Sequence, residues 1–131
     1  MDDSEMAQSA LRYALDVHGD AEITVLHVVG EPSAMMGLAG GLSLADDIEE
    51  AAEEHARKVF DDARGIAAEH ERNIETVIRY GHPVRAILNQ ADTFDAIVLG
   101  SHGGSLSDRL IVGDVAKTVF RRSPVPVTVV R

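Results

Sequence analysis

Helical and strand-like hydrophobic patterns alternate along this chain, and that alternation limits the possible folds more than any other feature. Apolar residues recur at helical spacing in four segments, residues 7–15, 46–67, 84–91 and 115–120. Short runs rich in β-branched residues lie between and after them, at Glu22–Val29, Asn73–Gly81, Asp95–Gly100 and Val125–Val130. Strands that alternate with helices predict an α/β fold, an open parallel sheet with helices on both of its faces.

Local signals predict where several of these elements begin and end. The stretch "DDSE" resembles a helix cap before the first helix, and Pro83 stands where a helix is expected to begin. Gly30–Leu44 is rich in glycine and serine and predicts a long loop, with the second helix starting at Asp46. Pro126 lacks a backbone donor, which indicates an edge position for the last strand. The length of 131 residues suits one domain, predicted over residues 1–131.

Composition narrows the classes of function. The chain contains no cysteine, which excludes a disulfide framework and a thiolate metal site. Its net charge of −10 argues against a nucleic-acid partner, because phosphate backbones need a broad basic surface. The chain shows neither the order of a signal peptide nor an apolar run of membrane-spanning length, so we expect a cytoplasmic protein without membrane contact. High acidity with only two lysines resembles proteins of salt-loving organisms and predicts a halophilic archaeon as the source.

A glycine-rich segment follows the third predicted strand. Its glycines are spaced Gly100-x2-Gly103-x9-Gly113, and residues 101–131 carry a net +3 whereas residues 1–100 carry −13. In open parallel sheets ligands bind beyond the carboxyl ends of the strands. Glycines allow positive φ and close approach of a ligand to backbone amides, and a helix beginning near Gly113 would direct free N–H groups at an anion. The segment predicts a phosphate site, although a single glycine there also suits an ordinary turn.

The C-terminal segment "DAIVLGSHGGSLSDRLIVGDVAKTVFRRSPVPVTVVR" resembles the universal stress protein family. That family carries G-x2-G-x9-G-Ser/Thr after its fourth strand and ends in a Pro-Val-Pro-Val-type strand. The resemblance extends upstream through "GHPVRAIL", "ITVLHVV" and "DDSEMAQSALRYAL", and so covers essentially the whole chain.

This resemblance implies a sheet with strand order 3-2-1-4-5 and, in one branch of the family, an ATP site at the carboxyl ends of strands 1 and 4. The residues implied as nucleotide-binding are Asp2, Val28, Val29, Gly100, Ser101, His102, Gly103, Gly113, Val115 and Ala116. Asp2 matches the acid that helps to place the base, and Val28 and Val29 would border adenine. The resemblance also implies a homodimer formed through the strand Val125–Val130.

Two positions depart from the family pattern. Asp114 stands where the family has a hydroxyl residue, and a carboxylate there repels phosphate unless a cation such as Mg²⁺ bridges the two. The alternative is that Asp114 caps the following helix. The family's first strand ends in a sequence similar to "Asp-Gly-Ser", whereas this chain begins with "MDDS". We therefore expect the central first strand to be missing, with about six further residues in the natural chain. The alternatives are that the 131-residue chain folds with a gap, with a rearranged sheet, or with a strand donated by a partner.

Other residues leave the function open. Arg109 is a candidate for contact with phosphate, but a solvated charge is an equal alternative. The six histidines show no zinc-motif spacing, so no metal site and no catalytic residue is assigned. The prediction is a regulatory stress-response dimer that binds ATP, ADP or AMP, with Mg²⁺ as a possible companion. The alternatives are a nucleotide-free interaction scaffold and a slow ATP hydrolase.

Overall fold

A computed structural model describes residues 1–30, 34–102 and 112–131, with side chains described outside residues 34–45. Helices and strands alternate in the predicted order. The helices are α1 (Glu5–Val17), α2 (Ala34–Glu69), α3 (Pro83–Gln90) and α4 (Asp114–Arg122). The strands are β1 (Thr24–Val29), β2 (Glu75–Tyr80), β3 (Ile97–Gly100) and β4 (Val127–Val130). A short 3₁₀ turn, Ala91–Thr93, follows α3. The α/β class with parallel strands is confirmed.

Helix α1 begins where its capping signal predicts. Ser4 is the N-cap in an extended conformation, and its hydroxyl accepts a hydrogen bond from the Ala7 amide at 3.1 Å. That bond satisfies one of the backbone donors that the first turn of a helix leaves free. The capped helix then buries an apolar stripe, formed by Met6, Ala10, Leu11, Ala14 and Leu15.

The loop predicted for Gly30–Leu44 is wrong from Ala34 onward, and residues 31–33 lie outside the described residues. Helix α2 begins at Ala34 and continues without a break to Glu69. The glycines at 37, 40 and 41 favoured a loop, but the alanine, methionine and leucine residues among them are strong helix formers. The helix propensity of these residues, summed over the stretch, outweighs the cost of the individual glycines. The amphipathic segment after Asp46 then continues the same helix.

The strands form two separate parallel pairs. β1 pairs with β2, with Thr24 opposite Glu75, and β3 pairs with β4, with Ile97 opposite Val127. Within the described ranges no strand joins β1 to β3. The expected order 3-2-1-4-5 therefore stays a prediction. The last strand is shorter than predicted, since Pro126 lies just before β4, and the Pro126 carbonyl accepts the Ile97 amide at 2.9 Å.

Helix packing joins the two strand pairs. α1 contacts α2 as well as β3 and β4, whereas α3 contacts α4 and β1. A buried cluster forms where α1, α2 and β1 meet, and it consists of Leu11, Leu15, Val25, Ala63, Ile66 and Ala67. Side chains alternate along a strand, so Val25 and His27 point toward this cluster while Leu26 points away from it. Helices therefore cover both faces of the strands.

Gly100 is required by the close approach of α1 to the end of β3. A Cβ atom at this position would lie 3.0 Å from the backbone carbon and the Cβ of Met6. Met6 is itself buried, and a helix backbone cannot yield locally. The first glycine of the predicted loop therefore has a packing role.

We expect Gly100→Ala to lower the free energy of unfolding by about 1–3 kcal/mol, because the added methyl group overpacks the contact with Met6. Gly65→Ala is the matched control. Gly65 lies inside α2 with no atom within 4 Å of an added Cβ, so alanine there should stabilise the protein by about 0.5–1 kcal/mol. Urea unfolding of both variants measures the difference, and equal effects of the two substitutions would contradict this role of Gly100.

Candidate functional site

A cavity of about 650 Å³ lies between the two strand pairs and reaches the carboxyl ends of β1 and β3. Its size is typical of a small-molecule site. Eight of the predicted site residues line it: Asp2, Val28, Gly100, His102, Gly113, Asp114, Val115 and Ala116. Val29 and Ser101 are not among the residues that line it. Gly103 and Arg109 lie outside the described residues.

Asp2 is held at the edge of this cavity by the turn that precedes α1. Its Oδ1 atom accepts hydrogen bonds from the amide of Ser4 at 3.0 Å and from the Ser4 hydroxyl. Burial raises the pKa of the Asp2 carboxyl, but the hydrogen bonds from Ser4 and the N-terminal ammonium outweigh burial and leave the pKa below its ordinary value. Asp2 therefore presents a fixed negative charge to the cavity.

A buried pair formed by His27 and the first residue was not predicted from the sequence. His27 is 5% exposed, and its Nδ1 lies 2.6 Å from the Met1 carbonyl. A carbonyl only accepts, so Nδ1 carries the hydrogen. Burial lowers the pKa of His27, although the bond to Met1 opposes this shift. A histidine at an inward-facing position of a buried strand was the available signal, but its partner is 26 positions away.

His102 carries an unsatisfied polar atom at the cavity wall. Its Nδ1 lies 3.0 Å from the hydroxyl of Ser101, which is 1% exposed. Its Nε2 is buried and has no hydrogen-bond partner among the described residues. When the Ser101 hydroxyl donates to Nδ1, the ring proton lies on Nε2, which is then a donor without an acceptor. An unpaired buried donor is costly, so the arrangement suits a polar ligand atom.

The start of α4 supplies further free donors. Gly113 is the N-cap and makes no side-chain cap, while its own amide donates to the Ser101 carbonyl at 2.6 Å. The first helical amides, at Asp114, Val115 and Ala116, have no intrahelical acceptor. The interpretation of Asp114 as an N-cap is wrong, because Asp114 is the first helical residue and its side chain is exposed. The Asp114 carboxylate is nevertheless stabilised there, because it lies near the positive end of the helix dipole.

Close packing explains why glycine is required at Gly113, as it does at Gly100. A Cβ at Gly113 would lie 3.1 Å from the Ser101 carbonyl oxygen and 3.3 Å from the Cβ of His102. Gly113 has φ −65°, and Gly81 is the one glycine in the described ranges with positive φ. Gly100 and Gly113 therefore do not use the positive φ that glycine allows. Packing, not backbone freedom, requires glycine at these two positions.

No helix in the described ranges is long and apolar enough to cross a bilayer. No group of three or more histidine, aspartate or glutamate side chains in the same ranges is placed to hold a metal ion.

The fold and cavity define an α/β protein with a ligand-sized site at the carboxyl ends of parallel strands. A family model described as the universal stress protein family matches residues 1–131. The chain belongs to that family. It is 30% identical to the universal stress protein YxiE of Bacillus subtilis, over 100% of this chain and 95% of YxiE. It also resembles the universal stress protein UspA of Lactobacillus plantarum, with a TM-score of 0.82, 27% identity and coverage of 100% and 93%.

Two solved structures of the same fold were obtained as complexes. One is a universal stress protein in complex with cAMP, with a TM-score of 0.72, 22% identity and coverage of 100% of this chain and 92% of that chain. The other is the universal stress protein of Archaeoglobus fulgidus in complex with dAMP, with a TM-score of 0.68, 17% identity and coverage of 100% and 92%. At these identities the comparison establishes the shared fold.

We expect stability to fall as the pH drops below the ordinary histidine value of about 6.5, in part because of His27. The pKa of folded His27 is lowered, so the unfolded chain binds more protons in that window and protonation favours unfolding. His27→Asn keeps a donor toward Met1 but cannot titrate. Urea unfolding between pH 7.5 and pH 5 should show a shallower loss of stability for the variant. The same slope in both proteins would mean that other groups cause the pH dependence.

Proposed function

We propose that this chain is a universal stress protein that binds an adenine nucleotide and acts as a regulatory dimer in a stress response. The observation that carries the proposal is the set of unpartnered donors at the cavity wall. Nε2 of His102 and the first amides of α4 all lack acceptors among the described residues. Hydrogen-bond donors grouped at a helix N-terminus suit a phosphate group.

The cavity offers suitable positions for the parts of a nucleotide. The phosphates would lie against the start of α4, at Val115 and Ala116, with Ser101 supporting His102. The base would lie beside Val28 and Val29, near the fixed carboxylate of Asp2. We also assign phosphate contacts to Gly103 and Arg109, which lie outside the described residues. The relatives solved with cAMP and dAMP support adenine as the base.

ATP is the nucleotide we propose, with Mg²⁺ as its companion, and ADP and AMP as alternatives. Asp114 lines the cavity next to the proposed phosphate position, and its charge repels phosphate across a short distance. A Mg²⁺ ion between the carboxylate and the phosphate oxygens would turn that repulsion into attraction, because Mg²⁺ favours such oxygen ligands. Asp114 therefore makes nucleotide binding dependent on the metal.

The first test is calorimetric titration of ATP with and without Mg²⁺. Without the metal, Asp114→Ser should bind ATP about tenfold more tightly than the wild type, because a repulsive charge is replaced by a donor. His102→Ala should weaken binding about tenfold or more through loss of a charge-assisted hydrogen bond. Asp20→Ser is the control, because Asp20 is exposed and lies near the amino end of β1, away from the cavity lining.

The control should leave the affinity for ATP unchanged. Absence of ATP, ADP and AMP binding in the wild type and in Asp114→Ser would overturn nucleotide binding and favour the nucleotide-free scaffold. No described residue is placed as a general base aimed at a water molecule, so we do not propose ATP hydrolysis as the function.

Dimerisation would occur through the outer edge of β4, within the predicted segment Val125–Val130. In the β3–β4 ladder the Ile97 amide bonds to Pro126 and the Ser101 amide bonds to Val130, so even-numbered residues of β4 face β3. The backbone groups of Val127 and Val129 point to the other edge. Phe120 of α4, the helix that precedes and contacts β4, is 64% exposed, so apolar surface is available on a neighbouring element.

Sedimentation analysis should show a dimer, and Val129→Pro should shift it to monomer, because proline removes a donor from the outer edge only. Thr76→Pro is the matched control. In the β1–β2 ladder the odd-numbered residues of β2 face β1, so the Thr76 amide points to the outer edge of β2. A wild-type monomer, or a dimer that Val129→Pro leaves intact, would contradict this interface.

The acidic composition supports a cytoplasmic protein of a halophilic archaeon. With a net charge of −10, self-repulsion weakens the folded state at low ionic strength, and salt screens it. We expect the Tm to rise steadily between 0.1 M and 3 M KCl, as followed by circular dichroism. A Tm that is constant or falls over this range would argue against adaptation to high salt.

A further inference from the structure

A second depression, of about 430 Å³, lies at the carboxyl end of β2. We name it the basic groove, and its lining consists of Arg79, Tyr80, Gly81, His82, Arg85, Ala86, Asn89 and Gln90. The lining includes two arginines and neither aspartate nor glutamate, although the chain has 22 acidic residues against 12 lysines and arginines. The groove therefore carries the opposite charge to the chain as a whole. None of the described residues that we assign to the nucleotide lines it.

Strand β2 and helix α3 bring the two arginines together. Val77 lines the large cavity, and Arg79 lies two positions further along β2, so their side chains share one face of the strand. After the strand, Gly81 has a φ of 115°, a conformation that favours glycine, and α3 begins at Pro83. Arg85 therefore lies in the first turn of α3, close to the end of the strand that carries Arg79.

Helix α3 forms a wall of both the basic groove and the large cavity. Pro83 and Ile87 are four positions apart, and both line the cavity. Arg85 and Asn89 are also four positions apart, and both line the groove. Residues at this spacing share one face of a helix. Two different faces of α3 thus serve the two sites, and Gln90 lines both of them.

The arginines of the groove have no carboxylate partner among the described residues. The ion pairs in the described ranges involve other side chains. Nη1 of Arg79 donates to the carbonyl of the neighbouring Ile78 at 2.8 Å. A guanidinium has five N–H donors, so Arg79 keeps donors for a further partner. Two positive charges that share a groove repel each other, and an anion between them would turn this repulsion into attraction.

The other polar groups of the groove complement the arginines. Nδ1 of His82 accepts a hydrogen bond from the Val84 amide at 3.3 Å, so this nitrogen carries no hydrogen and Nε2 is the donor of the ring. Asn89 is exposed and offers an amide donor and a carbonyl acceptor. Tyr80 is 58% exposed and carries a hydroxyl. The groove therefore combines donors for an anion with groups that suit the hydroxyls of a small molecule.

We propose that the basic groove is a second ligand site, which binds inorganic phosphate or the phosphate group of a small phosphorylated compound. Arg79 and Arg85 bind the phosphate oxygens, because the guanidinium fork matches phosphate geometry. A phosphate group with a charge of about −2 balances both arginines, whereas a single carboxylate balances only one. His82 donates a further hydrogen bond from Nε2, and Asn89 and Tyr80 contact the rest of the compound.

The experiment titrates the 131-residue chain with inorganic phosphate, without nucleotide, at constant ionic strength and about pH 8, where phosphate is dianionic. Heteronuclear NMR follows the backbone amides. The signals of Gly81 and Arg85 should shift saturably, because both residues line the groove. Absence of saturable shifts at these two amides would overturn the proposal. Shifts confined to Val115 and Ala116 would also overturn it, because phosphate would then bind only at the proposed nucleotide site.

Two further probes distinguish the sources of the phosphate group. Glycerol 3-phosphate should bind at least about threefold more tightly than inorganic phosphate if the site serves a phosphorylated compound, because Asn89 and Tyr80 then contact its hydroxyls. Equal or weaker binding would assign the site to inorganic phosphate. Glycerol alone should not shift the signals of Gly81 and Arg85, and equal shifts with glycerol would overturn the recognition of phosphate.

A pair of matched variants tests the role of the arginines. Arg79→Gln combined with Arg85→Gln should weaken phosphate binding at the groove at least about tenfold. Both side chains are exposed, so the buried core is not disturbed. Arg57→Gln combined with Lys58→Gln is the control, because it removes the same charge from exposed positions of α2 that line neither site. The control should keep the wild-type affinity, and equal affinity of the two double variants would overturn the proposal.

The outcome for the groove is independent of the outcome for the nucleotide. His102→Ala should leave the phosphate-induced shift of Gly81 unchanged, because His102 does not line the groove. A chain that binds no nucleotide can still bind phosphate at Arg79 and Arg85. Failure of the phosphate titration at Gly81 and Arg85 would in turn leave the calorimetric test of ATP binding unaffected.

Discussion

The packing of α1 is the constraint on which the rest of this structure depends, because α1 holds together two strand pairs that are not joined by strand pairing within the described ranges. On one side it contributes Leu11 and Leu15 to the cluster with β1 and α2. On the other side it lies against the end of β3, where the close approach of Met6 leaves no space for a side chain at Gly100. α1 thus packs against elements on both sides of the cavity, and it contributes lining residues such as Leu11 and Ala14.

The cavity brings together groups of opposite character. Asp2 and Asp114 place carboxylates at its edge, whereas the first amides of α4 and Nε2 of His102 place donors at its wall that have no acceptor among the described residues. A ligand with both a base to be oriented and an anionic group to be bound would satisfy both sets.

Much of the architecture could be predicted from local patterns. The alternation of helix and strand, the cap at Ser4 and the start of α3 at Pro83 each depend on residues close together in sequence. The segment before Asp46 was mispredicted because glycines and helix formers are mixed there, and local signals conflict. The assignment of Asp114 as a cap failed by one position, since Gly113 takes the extended conformation of the N-cap. Element type was thus more predictable than element boundaries.

The sequence by itself determined the α/β class and the resemblance to the universal stress protein family, because these depend on periodicity and short motifs, and it predicted a ligand site after β3. The tertiary structure alone decided that Gly100 and Gly113 are required by packing, that His27 bonds to Met1, and that Nε2 of His102 has no partner among the described residues. These features join residues far apart along the chain, and only the packing of α1 between the strand pairs brings them together.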